Sequence, residues 1–258
     1  MKIATFNING IKARSAVLER WLDDSAPDLA VLQEIKSTDE TFPRELIESR
    51  GYHLETHGQK GFNGVAILSK APLTDVIRGL PGDDGDDQSR WIEATVAGTN
   101  LRICGLYLPN GNPAPGPKFD YKLAWMERLR ARARDLLVAE APVVLAGDWN
   151  VIPQPIDAAR PQAWVKDALF FPESRAAFRR IEALGYYDAL RLRRPGPGEY
   201  SFWDYQAGAR HRNDGIRIDH LLLSPQAADR LTDAWIETAP RDWEKPSDHT
   251  PVWVTLEL

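Results

Sequence analysis

Four short apolar runs each end in an acid, an amide or an imidazole: Ala4-Thr5-Phe6-Asn7, Leu32-Gln33-Glu34, Gly147-Asp148-Trp149-Asn150 and Ser247-Asp248-His249. Strands that bury their apolar part and finish in such groups must find partners for them or lose folding free energy. A shared cation or a bound phosphate is a natural partner. The pattern is that of a dispersed hydrolytic metal site. Carboxylate and amide oxygens suit Mg²⁺, which prefers oxygen ligands and keeps several waters, and the chain lacks a Cys/His cluster suited to zinc. His53-Leu54-Glu55-Thr56-His57 superficially matches a zinc-binding helix, but its Glu is misplaced and its surroundings are strand-like.

The elements that must carry these residues follow from periodicity. Lys2–Ile8 reads as a strand, Val17, Leu18, Trp21 and Leu22 keep helical spacing, and Leu29–Gln33 reads as a second strand. A short helix is expected from Pro43 to Arg50, stopped at Gly51. Strand-like runs at Gly51–Thr56, Gly64–Ser69, Arg90–Val96 and Asn100–Leu108 follow with no crossover helix between them, which favours antiparallel pairing. A long helix at Phe119–Ala139, a strand at Val143–Ala146, a helix at Ser174–Leu184 opened by Ser174 and closed by Gly185, and a last strand at Pro251–Leu256 complete the order. Asp148 and Asn150 stand at i and i+2, so an extended chain points both to one side. Mixed strand directions with intervening helices predict an α/β fold of two packed sheets covered outside by helices, built as one domain over residues 1–258. The Pro-rich stretches Pro109–Pro117 and Arg194–Gly198 read as surface loops around the site.

Composition sets limits. With 258 residues and 43% hydrophobic side chains the chain can bury a substantial core. No run reaches the roughly 18 apolar residues of a membrane helix, and the amino terminus enters a strand pattern at once, so a soluble cytosolic protein without a membrane partner is expected, with monomer as the default. The formal charge of −5 argues against a nonspecific polycationic binder while leaving room for a local basic face around a cleft. The single cysteine, Cys104, reads as a small strand residue.

Thr5-Phe6-Asn7-Ile8-Asn9-Gly10, Leu32-Gln33-Glu34-Ile35-Lys36, Gly147-Asp148-Trp149-Asn150, Ile216-Arg217-Ile218-Asp219 and Lys245-Pro246-Ser247-Asp248-His249-Thr250-Pro251-Val252 occur together and in order. With them the chain closely resembles exonuclease III-type abasic-site endonucleases, within the endonuclease/exonuclease/phosphatase superfamily. The resemblance implies a four-layer α/β sandwich of the DNase I-like kind. It also implies a Mg²⁺-dependent phosphodiesterase, with Mn²⁺ as a substitute ion, acting on double-stranded DNA that carries abasic sites or blocked 3′ ends. By the same resemblance Glu34 is the principal metal ligand with Asn7 and Asp248 beside it, Asp148 activates water, Asn150 orients it, and Asp219 pairs with His249. Tyr107 and Asn110 resemble phosphate-contacting groups, Asn9 and Lys36 fall at supporting positions, and Phe202, Ile216 and Ile218 would line the pocket for a sugar lacking its base. Ile216 stands where some relatives carry an aromatic, and Trp149 is bulkier than the residue often found between the Asp and the Asn.

Plainer readings compete at several positions. Gly-Asp-x-Asn composition also caps a strand-to-loop turn, Asp248-His249 alone reads as an Asx turn, and Asp219 could pair with Arg217. Tyr107 could be a core aromatic. Gly58, Gly61 and Gly64 suit a hairpin turn, Asp83–Asp87 a solvated loop, and Arg128, Arg130, Arg132 and Arg134 a solvated helix face. Arg191, Arg193, Arg194, Arg210 and Arg212 bracket Phe202 and Trp203, a pattern in which cations hold phosphates while a ring wedges into DNA; the competing reading packs those aromatics inward. Two other functions fit in part: a superfamily relative hydrolysing RNA, a phosphoinositide or another phosphomonoester, and a noncatalytic nucleic-acid-binding module. The stretch Tyr200–Asp219 favours DNA by resemblance, and the intact set Asn7, Glu34, Asp148, Asn150, Asp219 and His249 speaks against a noncatalytic module.

Overall fold

Two strand–helix–strand units set the frame of the computed structural model, which describes all 258 residues. In the first, β1 (Lys2–Asn7) leads through α1 (Ser15–Ser25) to β2 (Leu29–Gln33), parallel to β1 with Asn7 opposite Gln33. Next come α2 (Arg44–Glu48), β3 (His53–His57), β4 (Val65–Ser69), β5 (Leu73–Arg78) and β6 (Trp91–Val96). The second unit runs from β7 (Arg102–Tyr107) through α3 (Pro117–Leu137) to β8 (Val143–Asp148), again parallel, with Tyr107 opposite Asp148. The chain closes with α4 (Pro172–Glu182), β9 (Tyr187–Asp188), α5 (Ala189–Arg193), β10 (Asp219–Leu223), α6 (Pro225–Ala228), β11 (Leu231–Ile236) and β12 (Val252–Leu256).

The strands form two six-stranded mixed sheets, ordered β11-β12-β1-β2-β4-β3 and β5-β6-β7-β8-β10-β9. Alternation along each strand divides the apolar residues into three cores. Ile3, Leu29, Val31, Ile103, Val144 and Leu221 face inward between the sheets. Ala4, Phe6, Ala30 and Leu32 face outward onto Trp21 and the rest of α1, while Cys104, Leu106 and Leu145 face outward onto α3 and α4. Burial on both faces explains why these strands read as unbroken apolar runs. Three cores between four layers make the expected sandwich. Trp21 is fully buried edge-on to Phe6, so Trp21→Ala would cost about 3–5 kcal/mol. No helix is long and apolar enough to cross a membrane.

Local departures from expectation have local causes. The Leu73–Arg78 strand escapes a periodicity reading because it is a half-exposed edge strand, bulged between Thr74 and Ile77, with Asp75 at φ +49°; charges and bulges are how edges avoid further pairing. Ser174 does not open α4: the helix begins at Pro172, and the buried Ser174 hydroxyl donates instead to the Ala168 carbonyl. Gly185 follows the helix at φ +117°. Arg128 and Arg132, four residues apart, turn inward to Asp86 and the buried Glu93, so the arginines of α3 are not a uniform solvated face and the 83–87 loop is anchored through Asp86. Two further short helices, α5 and α6, lie beyond the expected elements and are capped by the Asp188 and Ser224 side chains.

Candidate active site

Parallel strands joined by crossover helices bring their carboxyl ends to one edge, and here both sheets do so together. β1 and β2 deliver Asn7 and Glu34, β7 and β8 deliver Tyr107 and Asp148, and β10 starts at Asp219, directly opposite Asp148. The segment before β12 closes the group from the other side, where the Ser247 hydroxyl donates to the Asn7 carbonyl at 2.7 Å and sets Asp248 and His249 over the strand ends. Carboxylate or imidazole atoms of Glu34, Asp148 and His249 all lie within 4.8 Å of one another. They line a hollow of about 250 Å³ with Tyr107, Asn110, Asn150, Phe202, Ile218 and Asp248. Asn9, Glu34, Lys36, Asn150 and Lys245 all hold left-handed backbone, φ +47° to +52°. Strain of this kind persists where surrounding contacts fix it, and Glu34 and Asn150 line the hollow itself.

The hydrogen bonds define a second network behind the hollow. Asn7 donates its amide to Glu34 Oε1 at 2.9 Å and to Asp148 Oδ2 at 3.0 Å, while its oxygen accepts from the Asn9 backbone N–H. Asn7 therefore ties two carboxylates together and turns its nitrogen, not its oxygen, toward them. Lys36 bridges Glu34 Oε2 at 2.9 Å and Asn9 Oδ1 at 2.6 Å, and the Asn9 amide reaches Asp248 Oδ1 at 3.0 Å. Asp219 Oδ2 accepts from His249 Nδ1 at 2.8 Å and from the Ser201 hydroxyl at 2.6 Å, which leaves His249 Nε2 facing Asp148 Oδ2 at 3.7 Å. The Phe202 ring lies edge-on to the imidazole, 4.9 Å between centroids.

Charge in so buried a place moves proton affinities. Burial pushes the Asp148 carboxyl well above its ordinary range, with Asp219 and Glu34 adding to the effect and His249 opposing it. Burial alone would lower His249, but the Asp219 and Asp148 carboxylates override it and hold the imidazole protonated, well above its usual value. Burial also raises Glu34, yet the Asn7 amide and the Lys36 and His249 charges outweigh it and keep that carboxylate ionised. The Tyr107 phenol is pushed far up, first by burial and then by Glu34 and Asp148.

Several sequence expectations change on inspection. Asp148 and Asn150 do not lie on one extended strand: β8 stops at Asp148, the Asn150 N–H turns back onto Asp148 Oδ1 at 2.9 Å, and Asn150 takes φ +47°. The Asx turn and the site are the same structure. From that turn Asn150 donates to the Leu108 carbonyl and accepts from the Asn110 amide at 3.1 Å. Arg217 does not compete for Asp219; it is 1% exposed and pairs with Asp157 at 2.7 Å and Asp188 at 2.8 Å. Trp203, expected as a DNA-facing ring, is 1% exposed and donates to Asn213, so it packs inward and only Phe202 opens to the hollow. Ile216 and Arg212 line a neighbouring hollow of about 280 Å³ behind Phe202, with Arg212 bound to the Ala207 carbonyl. Of the other arginines placed around those aromatics, Arg191 is bound to buried Asp157, Arg193 to the Leu231 carbonyl, Arg194 to the Asp233 carboxylate and Arg210 to Asp242.

Three residues went unread in the sequence. Ser201 supports Asp219 and has no signal of its own. Phe62, 56% exposed, stands on a loop tied to the site through the Asn63 carbonyl, which receives the Lys36 N–H. Lys122 is fully buried; it falls on the apolar stripe Phe119, Trp125, Met126, Leu129 of α3, and a lysine at a core position of an amphipathic helix is the signal that could have found it.

Comparisons with known proteins bear on the family and the fold. The model of the Endonuclease/Exonuclease/phosphatase family matches residues 4–249. Exodeoxyribonuclease III of Haemophilus influenzae is 37% identical over 268 residues, with both chains fully covered. An AP endonuclease from Archaeoglobus fulgidus superposes with a TM-score of 0.96 at 37% identity, covering all of both chains. The 3′ phosphatase NExo from Neisseria, solved with product DNA hairpin, superposes with a TM-score of 0.97 at 36% identity, again over both full chains.

Proposed function

Because this chain belongs to the endonuclease/exonuclease/phosphatase family, we propose that it is a DNA repair nuclease that cuts double-stranded DNA 5′ to an abasic sugar and trims blocked 3′ ends. The observation that carries the reading is the convergence of Glu34, Asp148 and His249 within 4.8 Å, with Asp219 fixed behind the imidazole.

Hydrolysis of an anionic diester needs a positioned nucleophile opposite the departing oxygen and positive charge where negative charge develops. Asp148 has the proton affinity of a base: burial raises it, and Asn7 and the Asn150 N–H hold its two oxygens in place. Asp148 takes a proton from water, which attacks phosphorus in line, with Asn150 fixing the orientation. His249, charged and held by Asp219, donates from Nε2 to a phosphate oxygen, and the Tyr107 hydroxyl and Asn110 amide bind the same phosphate. Phe202 and Ile218 provide the apolar wall for a sugar without its base, with Ile216 behind them.

The donor set fits a hard divalent cation. Glu34, kept ionised, offers carboxylate oxygens, Asp148 and Asp248 line the same hollow, no thiolate is present, and the protonated imidazole of His249 is a hydrogen-bond donor, not a ligand. Glu34 would hold Mg²⁺, Asp248 would support it, and Asn7 would keep Glu34 in register with Asp148. When bound, the ion supplies positive charge for the departing 3′ oxygen.

A duplex with one synthetic abasic sugar, incubated with Mg²⁺ and with EDTA, tests the reading. Metal-dependent incision 5′ to the abasic site is expected, and the same gel reports 3′ trimming. An intact strand at saturating Mg²⁺ overturns it.

A further inference from the structure

We propose that Lys122, outside every motif described above, is a positioning residue whose ammonium group holds Asn150, and through it Asp148, in the working conformation. The inference rests on the nuclease reading for its kinetic part and on geometry alone for the rest.

Lys122 projects from α3 into the junction of three loops, with no exposure to solvent. Its ammonium donates to the backbone carbonyls of Asn150 at 2.6 Å, Asn110 at 3.1 Å and Ala168 at 3.4 Å. Three N–H donors meet three carbonyls, so the charge is matched without a carboxylate partner. Burial pulls its pKa down to about 7, against the upward pull of Asp148 and Asp167. The loops it joins carry the site: Asn110 reaches Asn150, and Asn112 binds Asp167 and the Ala168 N–H. Gly111, at φ +88°, lets the backbone press against the lysine stem; a Cβ there would stand 2.6 Å from Lys122 Cδ.

The consequence for chemistry runs through one peptide. Asn150 holds a left-handed backbone, which asparagine tolerates better than other non-glycine residues, and this conformation returns its N–H to Asp148 Oδ1. The shortest Lys122 bond grips the carbonyl of that same residue. Without it, Asn150 is free to relax, and the orienting amide and the Asp148 carboxylate lose their shared register. A misplacement of about 1 Å at a reacting group costs on the order of 10²-fold in rate.

The test is a double-mutant cycle on the abasic duplex, together with hydrogen exchange at the Asn150 amide. K122M is expected to lower kcat by about 10- to 100-fold with KM within about threefold, and to leave the Asn150 N–H unprotected. In a D148N background K122M should cost less than about threefold, because the carboxylate whose position it sets is already gone. Equal losses in both backgrounds, or an Asn150 amide as protected in K122M as in the wild type, overturn the proposal. If K122M does not fold, K122Q, which keeps two donors, takes its place with the same non-additivity required. Wild-type protein that leaves the duplex intact refutes the nuclease reading, and the hydrogen-exchange arm then still decides the role of Lys122.

Discussion

Asp148→Asn separates chemistry from folding. The substitution keeps shape and removes the charge, so the predicted base can no longer accept a proton. A general base contributes about 10²–10⁴-fold, equivalent to about 2.7–5.5 kcal/mol of barrier, and that is the expected fall in kcat, with KM for the abasic duplex nearly unchanged. Stability should move the other way or stay level. Burial makes the Asp148 carboxylate costly in the folded protein, and an amide removes that cost. Two effects oppose the gain: the new Asn donor meets the Asn7 amide donor, and His249 loses one of its two carboxylates. Because that raised proton affinity makes folding bind protons between the ordinary carboxylate range and neutrality, wild-type stability contributed by Asp148 declines as pH rises through this window, and the variant should lack that slope. Single-turnover cleavage of a labelled duplex measures the first effect and denaturant titration at several pH values the second. A variant that cuts within about threefold of wild type at saturating Mg²⁺ would refute the assignment of the base.

The remaining expectations address the groups around it. Asp219→Asn removes the larger charge holding the His249 proton; the imidazolium form is favoured below its raised pKa and lost above it, so the alkaline limb of the rate profile should fall to lower pH by about one unit or more. An unmoved limb would show that Asp219 does not set the charge of His249. Phe202→Ala should raise KM for the abasic duplex with little loss of stability, whereas Trp203→Ala, at a 1% exposed ring, should cost about 3–5 kcal/mol of stability; equal melting temperatures for the two variants would contradict their placement. His220 is fully buried, donates to the Val151 carbonyl and accepts from Arg217, and burial with that guanidinium lowers its pKa to about 4. The unfolded chain therefore takes up a proton between pH 6.5 and 4 that the folded one refuses, and stability should drop over that range by up to about 3 kcal/mol. Denaturation of His220→Gln at pH 6.5 and 4.5 should show a correspondingly smaller difference.

Periodicity is local, and what depended on it was legible. The unbroken apolar runs of β1, β2, β7 and β8 announced strands buried on two faces, the spacing of Val17, Leu18, Trp21 and Leu22 announced α1, and the polar residues closing those runs marked Asn7, Glu34 and Asp148. The edge strand Leu73–Arg78 was not legible, because half-exposed edges carry mixed polarity and no period. Which of Phe202 and Trp203 turns inward was not legible for a related reason: adjacent aromatics and arginines in a loop carry no information about it.

The amino-acid sequence by itself determined the order of the principal strands and helices, the α/β class and the identity of the groups at the strand ends, since each follows from neighbours a few residues apart. Only the tertiary structure decided which strands join which sheet and in what order, that Arg217 prefers Asp157 and Asp188 to Asp219, that Asn150 turns back onto Asp148, and that Lys122 lies beneath three loops. Those outcomes join residues such as Asn7 and Asp148, 141 positions apart. A buried charge has to be satisfied by whichever partner the packed layers bring within reach, and that partner is chosen by strand register and layer geometry, not by spacing along the chain.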